Sequence, residues 1–186
     1  MPNIKDIFKT SPIIAAVTNE ELLKIAIKSK VQVVFVLFGS ILNIAENVKL
    51  LKEAGKIVIV HVDLIQGLSV RDVAIDFIQQ NTLSDGIIST KQNLVKYALD
   101  KGLIAGERTF LVDSMAKANV IAHLKAFTPS FLEVMPGIIP RIISELVTTT
   151  TVPIVAGGLI SDAEDLASIS RSGASAISTS NPKLWL

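Results

Sequence analysis

Apolar residues in this chain fall into short runs separated by longer segments with helical periodicity. Eight runs are present, and their Val and Ile residues do not alternate with polar ones, which is typical of parallel strands covered on both faces. The runs are Ile13–Val17, Val31–Phe38, Ile57–Asp63, Gly86–Thr90, Arg108–Asp113, Phe131–Met135, Pro153–Gly158 and Ala174–Ser180. The pattern therefore predicts eight strands.

The segments between these runs carry helix signals. Thr18–Glu21 and Ser161–Glu164 each have the spacing of a capping box, in which a hydroxyl residue is followed three positions later by glutamate. Leu94 and Ala98 are four residues apart on one helical face, and Gly102 is placed to end that helix. We therefore expect a helix between each pair of consecutive strands.

Eight strands that alternate with helices, roughly 20 to 29 residues apart, favour a (β/α)8 TIM-type barrel. A doubly wound open sheet is the alternative. The 186 residues fall below the roughly 200 that mark the short end of the barrel fold. Only Asn181–Leu186 follow the eighth run, so we expect the last helix to be reduced or missing.

A missing helix would leave one flank of the barrel uncovered. Trp185 and Leu186 lie in the chain next to that flank, and exposed apolar surface favours association. The sequence therefore predicts a homo-oligomer formed through this flank.

Composition narrows the protein class. Hydrophobic residues make up 49% of the chain, yet no apolar stretch approaches the roughly 20 residues of a transmembrane helix. Cysteine is absent, and no secretory signal pattern begins the chain, which favours a reducing, cytoplasmic location. The net charge of +1 argues neither for nor against a nucleic-acid partner. We expect one domain over residues 1–186, without membrane contact.

Small residues follow the seventh and eighth predicted strands. In a barrel, function lies at the carboxyl ends of the strands, and glycine there allows backbone N–H groups to approach an anion closely. Gly157 and Gly158 end the seventh run, and Thr179 and Ser180 end the eighth. We predict that these four residues bind a phosphate group. The alternative for the glycines is an ordinary turn.

Polar residues at the other strand ends suit the hydroxyl groups of a small ligand. The candidates for the polyol end are His61, Asp63, Lys91, Asp113 and Glu133. Other interpretations stay open: His61 and Asp63 share a strand face and could hold a metal, Asp113 could cap a helix, and Lys91 could form a Schiff base. We assign no metal, cofactor or catalytic residue.

Several of these segments together resemble a known family. They are His61–Leu68, Asp85–Lys91, Arg108–Ser114, Glu133–Gly137, Ala156–Ile160 and Ala176–Ser180. They are similar, in order, to the glycerol-3-phosphate-responsive antiterminators, bacterial regulators of glycerol uptake and catabolism operons. The resemblance implies a TIM-type barrel that binds glycerol 3-phosphate, and then binds leader mRNA and prevents transcription termination.

Two residues depart from that family pattern. Lys91 stands where the resemblance leads us to expect arginine, which keeps the charge but loses a bidentate fork. Gln66 stands where we expect glutamate, which removes a charge beside the predicted site. Both departures bear on ligand affinity rather than on the fold.

A local excess of lysine offers a candidate surface for RNA. Lys24 and Lys28 share a face of the first predicted helix, and Lys49 and Lys52 lie on the next. Such a face can bind a phosphate backbone, although a solvated lysine-rich surface is the alternative. An enzyme that acts on a small phosphorylated substrate, such as an isomerase, epimerase or aldolase, is the second function class. Its only plausible acid–base residues are His61, Asp63 and Glu133.

Overall fold

Eight parallel strands form a closed barrel in the computed structural model, which describes residues 4–185. Each strand pairs with its neighbour in the chain, and β8 closes the barrel by pairing with β1. The strands are β1 (Ile13–Val17), β2 (Val33–Val36), β3 (Ile57–His61), β4 (Gly86–Ser89), β5 (Ile104–Phe110), β6 (Phe131–Met135), β7 (Ile154–Gly157) and β8 (Ala176–Thr179). The predicted (β/α)8 barrel is confirmed, and the open sheet is excluded.

Eight helices precede or connect the strands within residues 4–185. They are α1 (Ile4–Thr10), α2 (Glu20–Lys28), α3 (Ile44–Glu53), α4 (Asp72–Asn81), α5 (Gln92–Asp100), α6 (Ser114–Ala126), α7 (Pro140–Thr149) and α8 (Ala163–Arg171). Seven of them, α2 to α8, connect consecutive strands. Between β8 and Trp185, the last described residue, the chain forms a 3-10 turn, Pro182–Leu184, in place of a full helix, as predicted.

The interior of the barrel is filled by alternate residues of the strands. Phe35 and Phe131 lie there and stack with ring centroids 5.5 Å apart. The α1 helix packs against this cluster through Ile4, Ile7 and Phe8, and Phe8 meets Phe131 edge to face at 5.8 Å. This seven-residue helix was not predicted because it is too short to be stable without its tertiary contacts.

The fifth strand begins earlier than predicted. The apolar run indicated Arg108–Asp113, whereas β5 is Ile104–Phe110. Its first half includes Gly106, where a Cβ atom would lie 2.1 Å from Cζ of Phe131. The glycine is therefore required for interior packing, but it weakens the apolar signal of the strand. The shift moves Arg108 from the start of the strand into the barrel.

The flank next to the reduced last helix is covered rather than exposed. Trp185 is only 3% exposed and packs in the same cluster as Val17 and Leu23. Its indole Nε1 donates to the carbonyl of Thr179 at 2.9 Å. Trp185 therefore does not add to an exposed apolar flank, and Leu186 lies outside the described residues. The homo-oligomer stays a prediction.

No helix between residues 4 and 185 is long and apolar enough to cross a membrane.

Replacing Trp185 with alanine tests whether this residue stabilises the barrel where the last helix is reduced. Trp185→Ala removes a buried aromatic side chain, and we expect the free energy of unfolding to fall by about 3–5 kcal/mol. Urea denaturation followed by circular dichroism measures this loss. Lys183→Ala, an exposed change in the same turn, is the control. A loss for Trp185→Ala as small as that for the control would contradict the assignment.

Candidate ligand-binding site

A cavity of about 590 Å³ opens at the carboxyl ends of the strands, and we call it the mouth cavity. Apolar side chains line part of it, including Leu37, Met135 and Leu159. Its polar lining comes from Thr18, Arg108, Glu133, Ser161, Ser178, Thr179, Ser180 and Asn181. This volume and mixed lining are typical of a small-ligand site.

The loops after β7 and β8 expose backbone donors to this cavity. Gly158 and Leu159 have φ angles of +79° and +62°, so the chain turns through two consecutive left-handed residues. Within residues 4–185, the N–H groups of Gly158, Leu159 and Ser180 donate to no protein acceptor. Left-handed backbone is costly for leucine, and such strain recurs at ligand sites. Free N–H groups in a turn of this kind suit an anion.

The four residues predicted for phosphate play different parts in the structure. Gly158, Thr179 and Ser180 line the mouth cavity. The Thr179 hydroxyl donates to the carbonyl of Ile160 at 2.9 Å, so it ties the two loops together. Gly157 lies behind the cavity lining, where a Cβ atom would be 2.6 Å from Oε1 of Glu133. Its lack of a side chain makes room for that carboxylate.

Glu133 and Arg108 form a buried ion pair at the cavity. They are register partners on β6 and β5, and their side chains are 1% and 8% exposed. Nε of Arg108 donates to Oε2 of Glu133 at 2.5 Å. Because buried charges need partners, this pair explains why a carboxylate is stable inside an apolar strand. Arg108 was not among the residues predicted to bind the ligand.

His61 lies in the barrel interior and is 2% exposed, but it is not among the residues lining the mouth cavity. Burial is the main cause that lowers its pKa to about 4, the nearby Arg108 lowers it further, and Asp63 partly opposes both. The ring is therefore neutral at pH 7. Within the described part of the chain, its Nδ1 atom has no hydrogen-bond partner.

Asp63 lies in a 3-10 turn after β3, where it links that turn to the end of β4. Its carboxylate accepts from the Ser89 hydroxyl at 2.6 Å and from both the N–H and hydroxyl of Thr90 at 2.7 Å. These bonds outweigh partial burial and hold the pKa of Asp63 below its usual value. The open metal interpretation gains no support, since residues 4–185 contain no cluster of three His, Asp or Glu side chains able to hold an ion.

The remaining polyol candidates lie away from the mouth cavity. Asp113 is exposed and caps α6 by accepting from the N–H of Ala116 at 2.7 Å, which is the alternative that the sequence left open. Lys91 is exposed at the start of α5. Gln66, the second departure from the family pattern, is also exposed. Neither departure alters the lining of the mouth cavity.

The predicted lysine face is only partly available. Lys24 and Lys28 are exposed on α2 and form no ion pair within residues 4–185. Nζ of Lys49 lies 3.9 Å from Oε1 of Glu53 on the same helix. Lys52 is held by Asp85 at 2.7 Å and is about a quarter exposed. Of the four lysines, Lys52 is the one engaged in a close contact.

These features define a TIM-type barrel with a partly polar cavity at the carboxyl ends of its strands. Comparison with known proteins places the chain in a family. Residues 13–185 match the family described as glycerol-3-phosphate responsive antiterminator. YgcP of Escherichia coli (strain K12) is 37% identical over 179 residues, which cover 96% of this chain and 94% of YgcP.

Two crystal structures are similar in both sequence and fold. The glycerol uptake operon antiterminator regulatory protein of Listeria monocytogenes str. 4b F2365 has a TM-score of 0.88 and 34% identity, over 93% of this chain and 94% of that one. A glycerol uptake operon antiterminator-related protein of Thermotoga maritima MSB8 has a TM-score of 0.83 and 31% identity, over 94% and 98% of the two chains. The chain belongs to the glycerol-3-phosphate responsive antiterminator family.

The buried neutral histidine predicts how stability depends on pH. The pKa of His61 is lower in the folded state than the usual 6.5, so the unfolded chain takes up the proton first as the pH falls. Stability is therefore lost between about pH 6.5 and pH 4, by up to about 3 kcal/mol. Urea unfolding at pH 7 and pH 4.5 measures the change, because most carboxylates remain ionised in that interval.

His61→Gln should reduce this pH dependence, since glutamine does not titrate. His123→Gln removes the chain's other histidine and leaves the contribution of His61 in place. If His61→Gln loses as much stability between the two pH values as the wild type, the buried neutral state of His61 is wrong.

Proposed function

We propose that this protein binds glycerol 3-phosphate in the mouth cavity and, when liganded, binds leader mRNA to prevent transcription termination. One observation carries the proposal. In this member of the family, the free backbone N–H groups after β7 and β8 line the same cavity as the Glu133 carboxylate. As a transcription regulator, it would act in the cytoplasm.

The phosphate is proposed to bind at the loops after β7 and β8. The N–H groups of Gly158, Leu159 and Ser180 have no competing protein acceptor within residues 4–185, so a phosphate oxygen can take them. The Ser178 and Ser180 hydroxyls lie on the same cavity lining and can donate as well. The polyol end then points toward Glu133.

The proposed polyol site is narrower than the set of residues predicted from the sequence. Glu133 is the member of that set that lines the mouth cavity. Asp63 supports the neighbouring strand ends through Ser89 and Thr90, and His61 lies in the interior beside them. Lys91 and Asp113, on exposed loops, reach the ligand only if those loops move.

The enzyme alternative has weaker support. Among residues 4–185 no lysine lines the mouth cavity, so a Schiff-base aldolase mechanism has no nucleophile there. An isomerase or epimerase needs an acid–base pair, whereas Glu133 is paired with Arg108 and His61 lies outside the cavity lining. We therefore expect binding of glycerol 3-phosphate without turnover.

Thermal unfolding with glycerol 3-phosphate tests the ligand and its location. At 100 times Kd the ligand should stabilise the protein by about 2.7 kcal/mol, which raises Tm by roughly 5–10 °C. Gly158→Val should abolish this shift, because a Cβ at φ +79° is strained and would lie 2.7 Å from Cε of Met135. Product analysis of the same samples should show unchanged ligand.

Gly55→Val is the matched control. Gly55 also has a positive φ, of +74°, but a Cβ there meets nothing within 4 Å, and the residue follows α3 at the other end of the barrel. Gly55→Val introduces similar backbone strain, but it should still show the ligand-induced rise in Tm. Equal ligand shifts in both variants would place the phosphate elsewhere, and turnover of the ligand would favour the enzyme alternative.

Leader mRNA is proposed to contact the lysine surface of α2 and α3. Lys24 and Lys28 project from α2, and α3 packs beside it with Lys49 and Lys52. Each lysine–phosphate contact releases counterions, so binding through this surface should weaken as salt increases. Lys52 would have to break its ion pair with Asp85 before it could contact RNA. We therefore expect it to contribute less to RNA binding than the other three lysines.

Charge reversal on α2 tests this surface. In the presence of glycerol 3-phosphate, the double variant Lys24→Glu/Lys28→Glu should bind leader RNA at least about tenfold more weakly. The affinity of this variant for RNA should also depend less steeply on salt concentration. Filter binding at several salt concentrations measures both. Lys96→Glu/Lys125→Glu, on exposed positions of α5 and α6, changes net charge equally and is the control. The same loss in both double variants would indicate a nonspecific charge effect.

A further inference from the structure

The Arg108–Glu133 pair offers the mouth cavity both donors and an acceptor. One bond joins the two side chains, from Nε to Oε2. Within residues 4–185, the other guanidinium N–H groups and the second carboxylate oxygen, Oε1, form no hydrogen bond. Both side chains are more than nine-tenths buried, and both residues line the mouth cavity. These groups border the mouth cavity, so a ligand bound there can pair with them.

The charges of the pair restrict what that ligand can be. A carboxylate that approaches the guanidinium also approaches Glu133, and like charges in a buried site repel strongly. A hydroxyl group carries no charge, and it can donate to Oε1 while accepting from Arg108. Nearby His61 adds no compensating positive charge, because its ring is neutral at pH 7.

The carboxylate of Glu133 has little freedom to move away from the ligand. The backbone of Gly157 packs against it so closely that even a Cβ atom there would be 2.6 Å from Oε1. On the other side, Arg108 holds Oε2 from the adjacent strand. Two rigid strands therefore keep the negative charge at this end of the cavity.

We propose that the Arg108–Glu133 pair determines specificity, so that the cavity accepts a small phosphate ester whose far end is a hydroxyl and rejects one whose far end is a carboxylate. The inference rests on the proposed function, since it takes the phosphate end of the ligand to lie at the loops after β7 and β8. The negative charge of Glu133 repels a carboxylate of the ligand. Arg108 donates hydrogen bonds both to Glu133 and to the ligand hydroxyl.

Calorimetric titration with two ligands of equal carbon number tests this specificity. Glycerol 3-phosphate and 3-phosphoglycerate differ at the far carbon, which is a hydroxymethyl group in the first and a carboxylate in the second. The wild type should bind glycerol 3-phosphate at least about tenfold more tightly. In Glu133→Gln this preference should shrink at least about tenfold, because Arg108 is then free to bind the carboxylate.

Glu107→Gln is the matched control for the loss of a buried carboxylate. Glu107 is on β5 next to Arg108, but it bonds to Gln92 and His123 and does not line the mouth cavity. Its substitution should leave the ratio of the two affinities unchanged. A ratio that changes equally in both glutamine variants would overturn the proposal.

The remaining outcomes are also decisive. Wild-type protein that binds both ligands equally overturns the specificity proposal without any variant. Wild-type protein that binds neither ligand nor inorganic phosphate refutes the proposed function itself. If Glu133→Gln does not fold by circular dichroism, Arg108→Gln/Glu133→Gln provides the same test with no unpaired charge. That double variant should also lose the preference, and an unchanged preference would overturn the proposal.

Discussion

The need to fill the interior of a closed eight-stranded barrel constrains this structure more than any other factor. Inward-facing residues must occupy the interior at the density of a solid core. At one end this is achieved by Phe35 and Phe131, with Phe8 of α1 packed against them. Gly106 is required because Phe131 occupies the volume that any side chain there would take.

Toward the carboxyl ends of the strands the interior becomes polar, and this change creates the site. His61, Arg108, Glu133 and Ser178 are all buried there. Burial of a charge is costly unless it is paired, so Arg108 and Glu133 must lie together, and the histidine remains neutral instead. The donors and acceptors of this pair that form no bond with each other border the mouth cavity, where the proposed ligand would bind.

The outer layer shows how a short chain closes the fold. Where the helix after β8 is reduced, Trp185 covers the barrel and bonds to the Thr179 carbonyl, while the Thr179 hydroxyl bonds to Ile160. The proposed phosphate loops are thus braced by the residues that compensate for the missing helix. The proposed ligand binding would benefit from such bracing, because it orients the free N–H groups before a ligand binds.

The sequence by itself determined the alternation of strands and helices, the barrel, and a candidate site toward the carboxyl ends of the strands that includes Gly158, Ser180 and Glu133. These follow from local patterns: apolar runs, helix caps and small residues leave their signal in the chain itself. Only the tertiary structure decided that Arg108 faces the cavity, that Asp63 and Asp113 are occupied by backbone donors, and that Trp185 is buried. The α1 helix likewise depends on contacts with distant strands. Register and pairing are set by interior volume and buried charge, which involve residues far apart in the chain.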